Sequence, residues 1–280
     1  MLTFSKMHGI GNDYIYINCF QETVTDPEKL SIFMSNVRFG VGSDGLVLIL
    51  PSEVADFRMR IFNADGSEAM MCGNATRCVG KYVYEHGMTD KTEVSLETNS
   101  GIKYLTLYVN EATNKVDAVK VDMGKAILKP ADIPVADDGD RFIAKPVVVD
   151  GVSYNMTCVS MGNPHAVVFL PEIDSLDLEK IGPSFEHHPL FPNRVNTEFI
   201  RVIDDHTLQM RVWERGSGET FACGTGACAV AVAACENGFC KKGDDIKIKL
   251  KGGDLVINYT DETVYMTGNA EKVFEGEIEV

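Results

Sequence analysis

The sequence repeats itself at one fixed distance. Cys72-Gly73-Asn74 and Cys223-Gly224-Thr225 are separated by 223 − 72 = 151 residues. The same offset relates Gly11-Asn12 to Gly162-Asn163, Arg60-Ile61-Phe62-Asn63 to Arg211-Val212-Trp213-Glu214, and Glu68 to Glu219. A constant offset across separated segments marks an internal duplication, and two copies imply a pseudo-twofold pair of domains rather than a solenoid. At 280 residues the chain is long enough for two domains with their own cores. Related domains normally meet at a cleft, and each half would bring one thiol to it. Two facing acid/base groups are what inversion of a carbon centre requires.

Most of the chain reads as short strands. Residues 13–18, 45–50, 57–62, 102–109 and 116–123 in the first half carry alternation or β-branched enrichment. Residues 166–170, 198–202, 208–213, 246–250 and 255–259 do so in the second. Two segments, 75–86 and 226–237, read as helices that begin just after a Cys-Gly pair. The second is rich in alanine and cysteine and apolar nearly all round, as expected of a helix enclosed by a sheet. The expected class is α/β (α+β), with two pseudo-symmetric halves, each a mainly antiparallel sheet wrapped around a central helix. The first half is placed at 1–123 and the second at 124–265. The tail, 266–280, is expected to complete the first half, although periodicity does not show that crossing.

The net charge of −15 disfavours a nucleic-acid or anionic-membrane partner and reads as ordinary solubility. No apolar run approaches a membrane span, and the first fourteen residues lack the apolar segment of a secretory signal. Eight cysteines without such a signal imply free thiols in a reducing compartment, so a cytoplasmic protein is expected. Their spacing forms no paired zinc pattern, and no metal is expected.

Each repeated cysteine precedes a glycine and a helix start. A helix N-terminus presents backbone N–H groups and partial positive charge, which bind anions and favour a thiolate. Glycine removes the Cβ that would hinder a ligand approaching that backbone. The alternative reading, a buried small hydrophobe, is kept for Cys19, Cys78, Cys158, Cys228, Cys235 and Cys240. Glu214-Arg215 can grip an ammonium and a carboxylate, or stand as a solvated pair. Asn12, Asn63, Asn163 and Asn196 fall near turns or strand ends, where turn chemistry is the competing role. His165 reads equally as a proton-network member or a packed histidine. Gly224-x-Gly226-x-x-Ala229 superficially fits a dinucleotide fingerprint but lacks a parallel βαβ context. A cysteine hydrolase needs one thiol with a histidine base, which leaves a second, equivalent thiol redundant.

These residues lie in blocks that resemble the diaminopimelate epimerase family from Phe4 to the end of the chain. The blocks are Lys6-Met7-His8-Gly9-Ile10-Gly11-Asn12-Asp13, Phe62-Asn63-Ala64-Asp65-Gly66-Ser67-Glu68, Cys72-Gly73-Asn74, Met161-Gly162-Asn163-Pro164-His165 and Arg194-Val195-Asn196. Glu214-Arg215-Gly216-Ser217-Gly218-Glu219-Thr220 and Cys223-Gly224-Thr225-Gly226 complete the set. The resemblance implies a cofactor-independent isomerase of lysine and peptidoglycan-precursor biosynthesis, with two pseudo-symmetric domains and an active site between them. It implies that Cys72 and Cys223 form a thiolate/thiol pair, with His165 and Glu214 supporting catalysis. It also implies that Asn12, Asn63, Asn163, Asn196, Glu214 and Arg215 bind the amino-acid substrate, and that Gly73, Asn74, Gly224 and Thr225 hold its carboxylate through backbone N–H groups. Tyr265 matches a tyrosine at the family's dimer interface, so a homodimer is expected. No pyridoxal or other cofactor is needed for this design.

Two departures stand out. Ser43-Asp44-Gly45 carries glycine where many members have a substrate-contacting glutamine, and Ala75-Thr76 replaces the commoner Gly-Ala. The first keeps open a racemase of another amino acid, such as histidine, on the same scaffold. A non-catalytic binding protein is the rival from outside the enzymes, and it leaves both thiols without a purpose.

Overall fold

The computed structural model describes residues 1–280, which form two compact units, Met1–Asp122 with Thr267–Val280, and Met123–Met266. In the first unit the elements run β1 (Leu2–Gly9), β2 (Asn12–Asn18), α1 (Pro27–Ser35), β3 (Gly45–Leu50), β4 (Phe57–Asn63), the two-residue β5 (Glu68–Ala69), α2 (Gly73–Glu85), β6 (Glu93–Thr98), β7 (Gly101–Asn110) and β8 (Lys115–Asp122). The second unit contains β9 (Lys145–Val149), β10 (Val152–Ser160), β11 (Pro164–Phe169), α3 (Leu178–Glu186), β12 (Asn196–Asp204) and β13 (Thr207–Glu214). It continues with β14 (Gly218–Glu219), α4 (Gly224–Glu236), β15 (Asp245–Leu250) and β16 (Gly253–Tyr259), and β17 (Val264–Gly268) begins in it and ends past Met266. The tail strand β18 (Glu271–Ile278) pairs antiparallel with β1 in the first unit.

Strand pairing repeats with the sequence. In the first unit β1–β2 and β3–β4 are antiparallel, whereas β2–β3 and β4–β6 are parallel. In the second, β10–β11 and β12–β13 are antiparallel and β11–β12 and β13–β15 parallel. The register agrees to the residue, since Ile15 pairs with Leu46 and Ala166 with Thr197, each 151 positions on. The tail strand adds to β1 as β9 adds to β10, so both sheets gain the same flanking partner.

Each sheet encloses its helix. Residues 73–83 of α2 are all buried, as are Gly224 and 226–234 of α4. Alanine and glycine dominate α4 because a helix surrounded by strands has room only for short side chains. A second cluster in the second unit gathers Phe185, Phe199, Met156, Val168 and Trp213 between α3 and the sheet.

Both central helices start two residues earlier than the sequence pattern suggests, at Gly73 and Gly224, which makes Cys72 and Cys223 the N-cap residues themselves. Two further helices, α1 and α3, are absent from the periodicity reading. Asp26 caps α1 by accepting from the Lys29 N–H, with Pro27 in the first turn. Asp177 caps α3 in the same way, but Pro183 inside that helix hides it from a pattern search. No helix is long and apolar enough to cross a membrane.

Candidate active site

Cys72 and Cys223 hold equivalent positions and face different surroundings. Both have extended backbones that turn directly into a helix, with φ −136° and −123°. Cys223 Sγ accepts the N–H of Gly226 at 3.4 Å and lies 3.7 Å from Thr225 Oγ1, so the sulfur caps its own helix. Cys72 makes no such cap. Its thiol donates to Asn12 Oδ1 at 3.3 Å.

Asn12 organises the first unit's cluster. It follows a tight hairpin in which Ile10 and Gly11 have φ of 49° and 88°, the left-handed pair expected of a two-residue turn. Its Oδ1 also accepts from Asn74 Nδ2 at 3.2 Å, and its Nδ2 donates to Asp44 Oδ2 at 2.7 Å. Asn74 Oδ1 in turn accepts from the fully buried guanidinium of Arg77 at 2.9 Å. Tyr14 lies beside this cluster, and burial, with Cys72 and Asp44 adding to it, pushes its hydroxyl well above the ordinary range. Asn63 is outside this chain of bonds; its amide donates to Ser67 Oγ at 2.9 Å within the turn from β4 to β5.

The second unit places Glu214 and Glu198 where the first has Asn63 and Val47. Glu214 ends β13, half-buried, and accepts from Thr220 Oγ1. Burial raises its pKa, while Thr220 and Cys223 pull it back. His165 is fully buried, with Nδ1 2.6 Å from Glu198 Oε1 and Nε2 3.0 Å from Asn163 Oδ1. Asn196 Oδ1 accepts the Arg215 N–H at 2.9 Å, and the Arg215 guanidinium donates to the Asn193 carbonyl at 3.0 Å.

These acids reverse one expectation. The helix N-terminus predicts a Cys223 thiol with a depressed pKa, yet it lies well above its ordinary value. Desolvation is the largest cause, followed by the charges of Glu214 and Glu198. The Thr225 hydroxyl and the Gly226 N–H offset only part of this.

Gly45 sits where this backbone leaves no room for a side chain. A Cβ placed on it would lie 2.0 Å from the Phe62 carbonyl oxygen and 3.0 Å from Tyr14 Cε1. The direction a side chain would take runs into the backbone of the neighbouring strand, where Gly45 pairs with Asn63. Tyr265 is half-buried on β17.

Asp44, Glu198 and Thr220 were not singled out by sequence reasoning, although each bonds a residue that was. The readable sign for Glu198 is its phase: it occupies the position 151 residues after the buried Val47 of β3.

Comparison with known proteins agrees with this arrangement. The model of the family described as diaminopimelate epimerase matches residues 4–129 and 157–273. A diaminopimelate epimerase of Acetivibrio thermocellus is 58% identical over 281 residues, covering 100% of this chain and 99% of its own length. One from Methanococcus maripaludis is 54% identical with full coverage of both chains. Among solved structures, a probable proline racemase of Agrobacterium radiobacter superposes with a TM-score of 0.76 at 15% identity, covering 100% of this chain and 93% of that one. A hydroxyproline epimerase of Agrobacterium vitis gives 0.72 at 16% identity, with coverage of 99% and 90%. At such low identity these two establish the fold alone. The duplicated sheets, the paired cysteines at the helix N-cap positions and the full-length relatives together show that this chain belongs to the diaminopimelate epimerase family.

Proposed function

We propose that this protein interconverts LL- and meso-diaminopimelate by two-base proton transfer between Cys72 and Cys223. The observation that carries the reading is the pair of cysteines at the N-cap positions of equivalent helices, in a chain aligned end to end with relatives of that name. One cysteine, as thiolate, removes the α-proton, and the other, as thiol, delivers a proton to the opposite face. In the reverse direction they exchange roles. The N–H groups of Gly73, Asn74, Gly224 and Thr225 lie in first helical turns, where no carbonyl of the helix pairs with them. On this reading they bind the substrate carboxylate and the charge that spreads onto it as the carbanion forms.

Substrate also supplies what the resting protein lacks. Cys72 donates its hydrogen to Asn12, and Cys223 is pushed up by burial and two carboxylates. An α-ammonium arriving beside the thiols offsets that negative charge and lets one of them ionise. Glu214 and Arg215, with Asn12, Asn63, Asn163 and Asn196, are assigned to substrate recognition, and His165 and Glu214 to support of the thiols. The same reading gives a cytoplasmic homodimer with Tyr265 at its interface.

The test is α-proton exchange in D₂O with LL-diaminopimelate and a panel of other amino acids, histidine included. Exchange with diaminopimelate and little with the rest is expected. Exchange with histidine alone, or with nothing, contradicts the assignment.

A further inference from the structure

The first unit contains a buried cation that the two-thiol scheme does not use. Arg77 lies on α2 with its side chain fully buried. A guanidinium keeps its charge there, so its burial is costly unless its N–H groups find acceptors. Nε donates to the Asn269 carbonyl at 3.2 Å, Nη1 to the Gly73 carbonyl at 3.4 Å and Nη2 to Asn74 Oδ1 at 2.9 Å. A Cβ built on Gly9 would lie 2.9 Å from Arg77 Nη2 and 3.0 Å from Asn74 Cβ, so the end of β1 closes over this pair. The duplication breaks at the same three places. Thr225, Cys228 and Ser160 stand where the first unit has Asn74, Arg77 and Gly9, although Asn12 keeps its counterpart in Asn163. The guanidinium and the glycine that leaves room for it thus occur together, in one unit.

A guanidinium donates and never accepts, which gives the bonds beyond it a single direction. The atom of Asn74 that faces Arg77 must be its carbonyl oxygen, because an amide nitrogen there would set donor against donor. Asn74 therefore turns Nδ2 toward Asn12, 3.2 Å from Oδ1. Asn12 must in turn present its oxygen on this side and its Nδ2 to Asp44 Oδ2, 2.7 Å away. No step in this sequence depends on the protonation of Asp44. The same Asn12 oxygen is 3.3 Å from Cys72 Sγ, so the reactive sulfur meets an acceptor that its S–H bond points toward. With both amides turned over, the sulfur would meet an N–H instead, and a lone pair rather than its hydrogen would be held.

We propose, on the epimerase reading of this site, that Arg77 is a positioning residue that sets the direction of the Asn74 and Asn12 amides and so fixes the acceptor that aims the Cys72 thiol. It acts through Asn74 and at no reacting atom. Without the guanidinium, Asn74 is free to turn, and Asn12 loses its fixed sense with it.

The experiment is a double-mutant cycle in the full chain, with Arg77→Met, Asn74→Ala and the two combined. Asn74→Ala keeps the backbone N–H of that residue. One readout is kcat/KM for α-proton exchange of LL-diaminopimelate in D₂O. The other needs no substrate: the side-chain amide signals of Asn12 in protein labelled with ¹⁵N-asparagine, assigned with Asn12→Ala. Each single variant should lower kcat/KM about tenfold or more, the size of one lost charge-assisted hydrogen bond, and shift the Asn12 signals. The double variant should do no worse than the poorer single one in either readout. Arg77→Lys, which keeps a charged donor, should recover part of the loss. Unchanged kcat/KM in Arg77→Met overturns the proposal, and so do losses that multiply in the double variant. Should Arg77→Met not fold, the cycle is run with Arg77→Lys, whose effect must vanish in the Asn74→Ala background; an effect that persists there overturns the proposal equally. Non-additive Asn12 signals in a protein that exchanges no diaminopimelate would support the role of Arg77 and count against the substrate assignment alone.

Discussion

Trp213 donates its indole N–H to Glu186 Oε2 at 2.8 Å, and this bond fixes the turn that carries Glu214 and Arg215. The other oxygen, Oε1, accepts the Gly216 N–H at 3.0 Å and the Arg194 guanidinium at 3.1 Å. One buried carboxylate at the end of α3 therefore holds both ends of the 213–216 segment. Removing it leaves a buried indole N–H and a backbone N–H without partners. Glu186→Ala is expected to cost about 3 kcal/mol in urea denaturation and to raise KM for diaminopimelate. Glu186→Gln, which keeps one acceptor, should fall between the two. Unchanged stability in Glu186→Ala would show that water replaces the carboxylate at no cost.

Gly45 tests whether the departure from glutamine weakens the substrate grip. Since a Cβ would lie 2.0 Å from the Phe62 carbonyl, Gly45→Ala forces β3 and β4 apart. A loss of about 1–3 kcal/mol is expected in thermal or urea unfolding, the usual cost of overpacking. Gly45→Gln should be no better than Gly45→Ala in stability and should not raise kcat/KM. A gain in kcat/KM would mean that a missing substrate contact had been restored.

Alkaline pH should destabilise the fold well before any strand loses its packing. Burial pushes the Cys78 thiol up to about 12, and Cys19 and Cys240 up to about 11. In the unfolded chain a thiol ionises near 8.5. Between those values the folded state holds more protons than the unfolded one, so stability falls as pH rises. The contribution is complete below about 8.5 and is lost progressively as pH rises toward the folded values. For the fully buried Cys78 alone the loss is on the order of 1–2 kcal/mol by pH 10. The urea midpoint should therefore drop between pH 8 and pH 10, and less so in Cys78→Ala. An unchanged midpoint would show that the thiols ionise in the folded protein.

The duplication was the most legible part of the fold because it does not depend on propensity. The 151-residue offset survives as register, with Ile15–Leu46 recurring as Ala166–Thr197. The strands were readable where one face is buried and the other wet, as in β4. They were not readable in β18, where most side chains are exposed and a long-range partner, β1, supplies the order. In α3 a proline in the interior masked a helix whose cap and packing outweigh its cost. Within the site, the cysteines and asparagines could be found because they repeat or sit at turns. Glu186 could not be read in this way, because a buried carboxylate looks like a surface one until tertiary packing encloses it, and the exposed Asp44 gains its place only through its hydrogen bonds with Asn12 and the Asp13 N–H. The Cys223 pKa was misjudged for the same reason, since the helix field is local and legible but the two carboxylates opposing it arrive through the fold.

The central claim is that two thiols share one proton exchange. The most direct test follows LL-diaminopimelate in D₂O with Cys72→Ser and Cys223→Ser as separate variants. Each should lose epimerisation by about 10²–10⁴ or more, the span of a general acid or base, while circular dichroism shows an intact fold. Full activity in either variant contradicts the account.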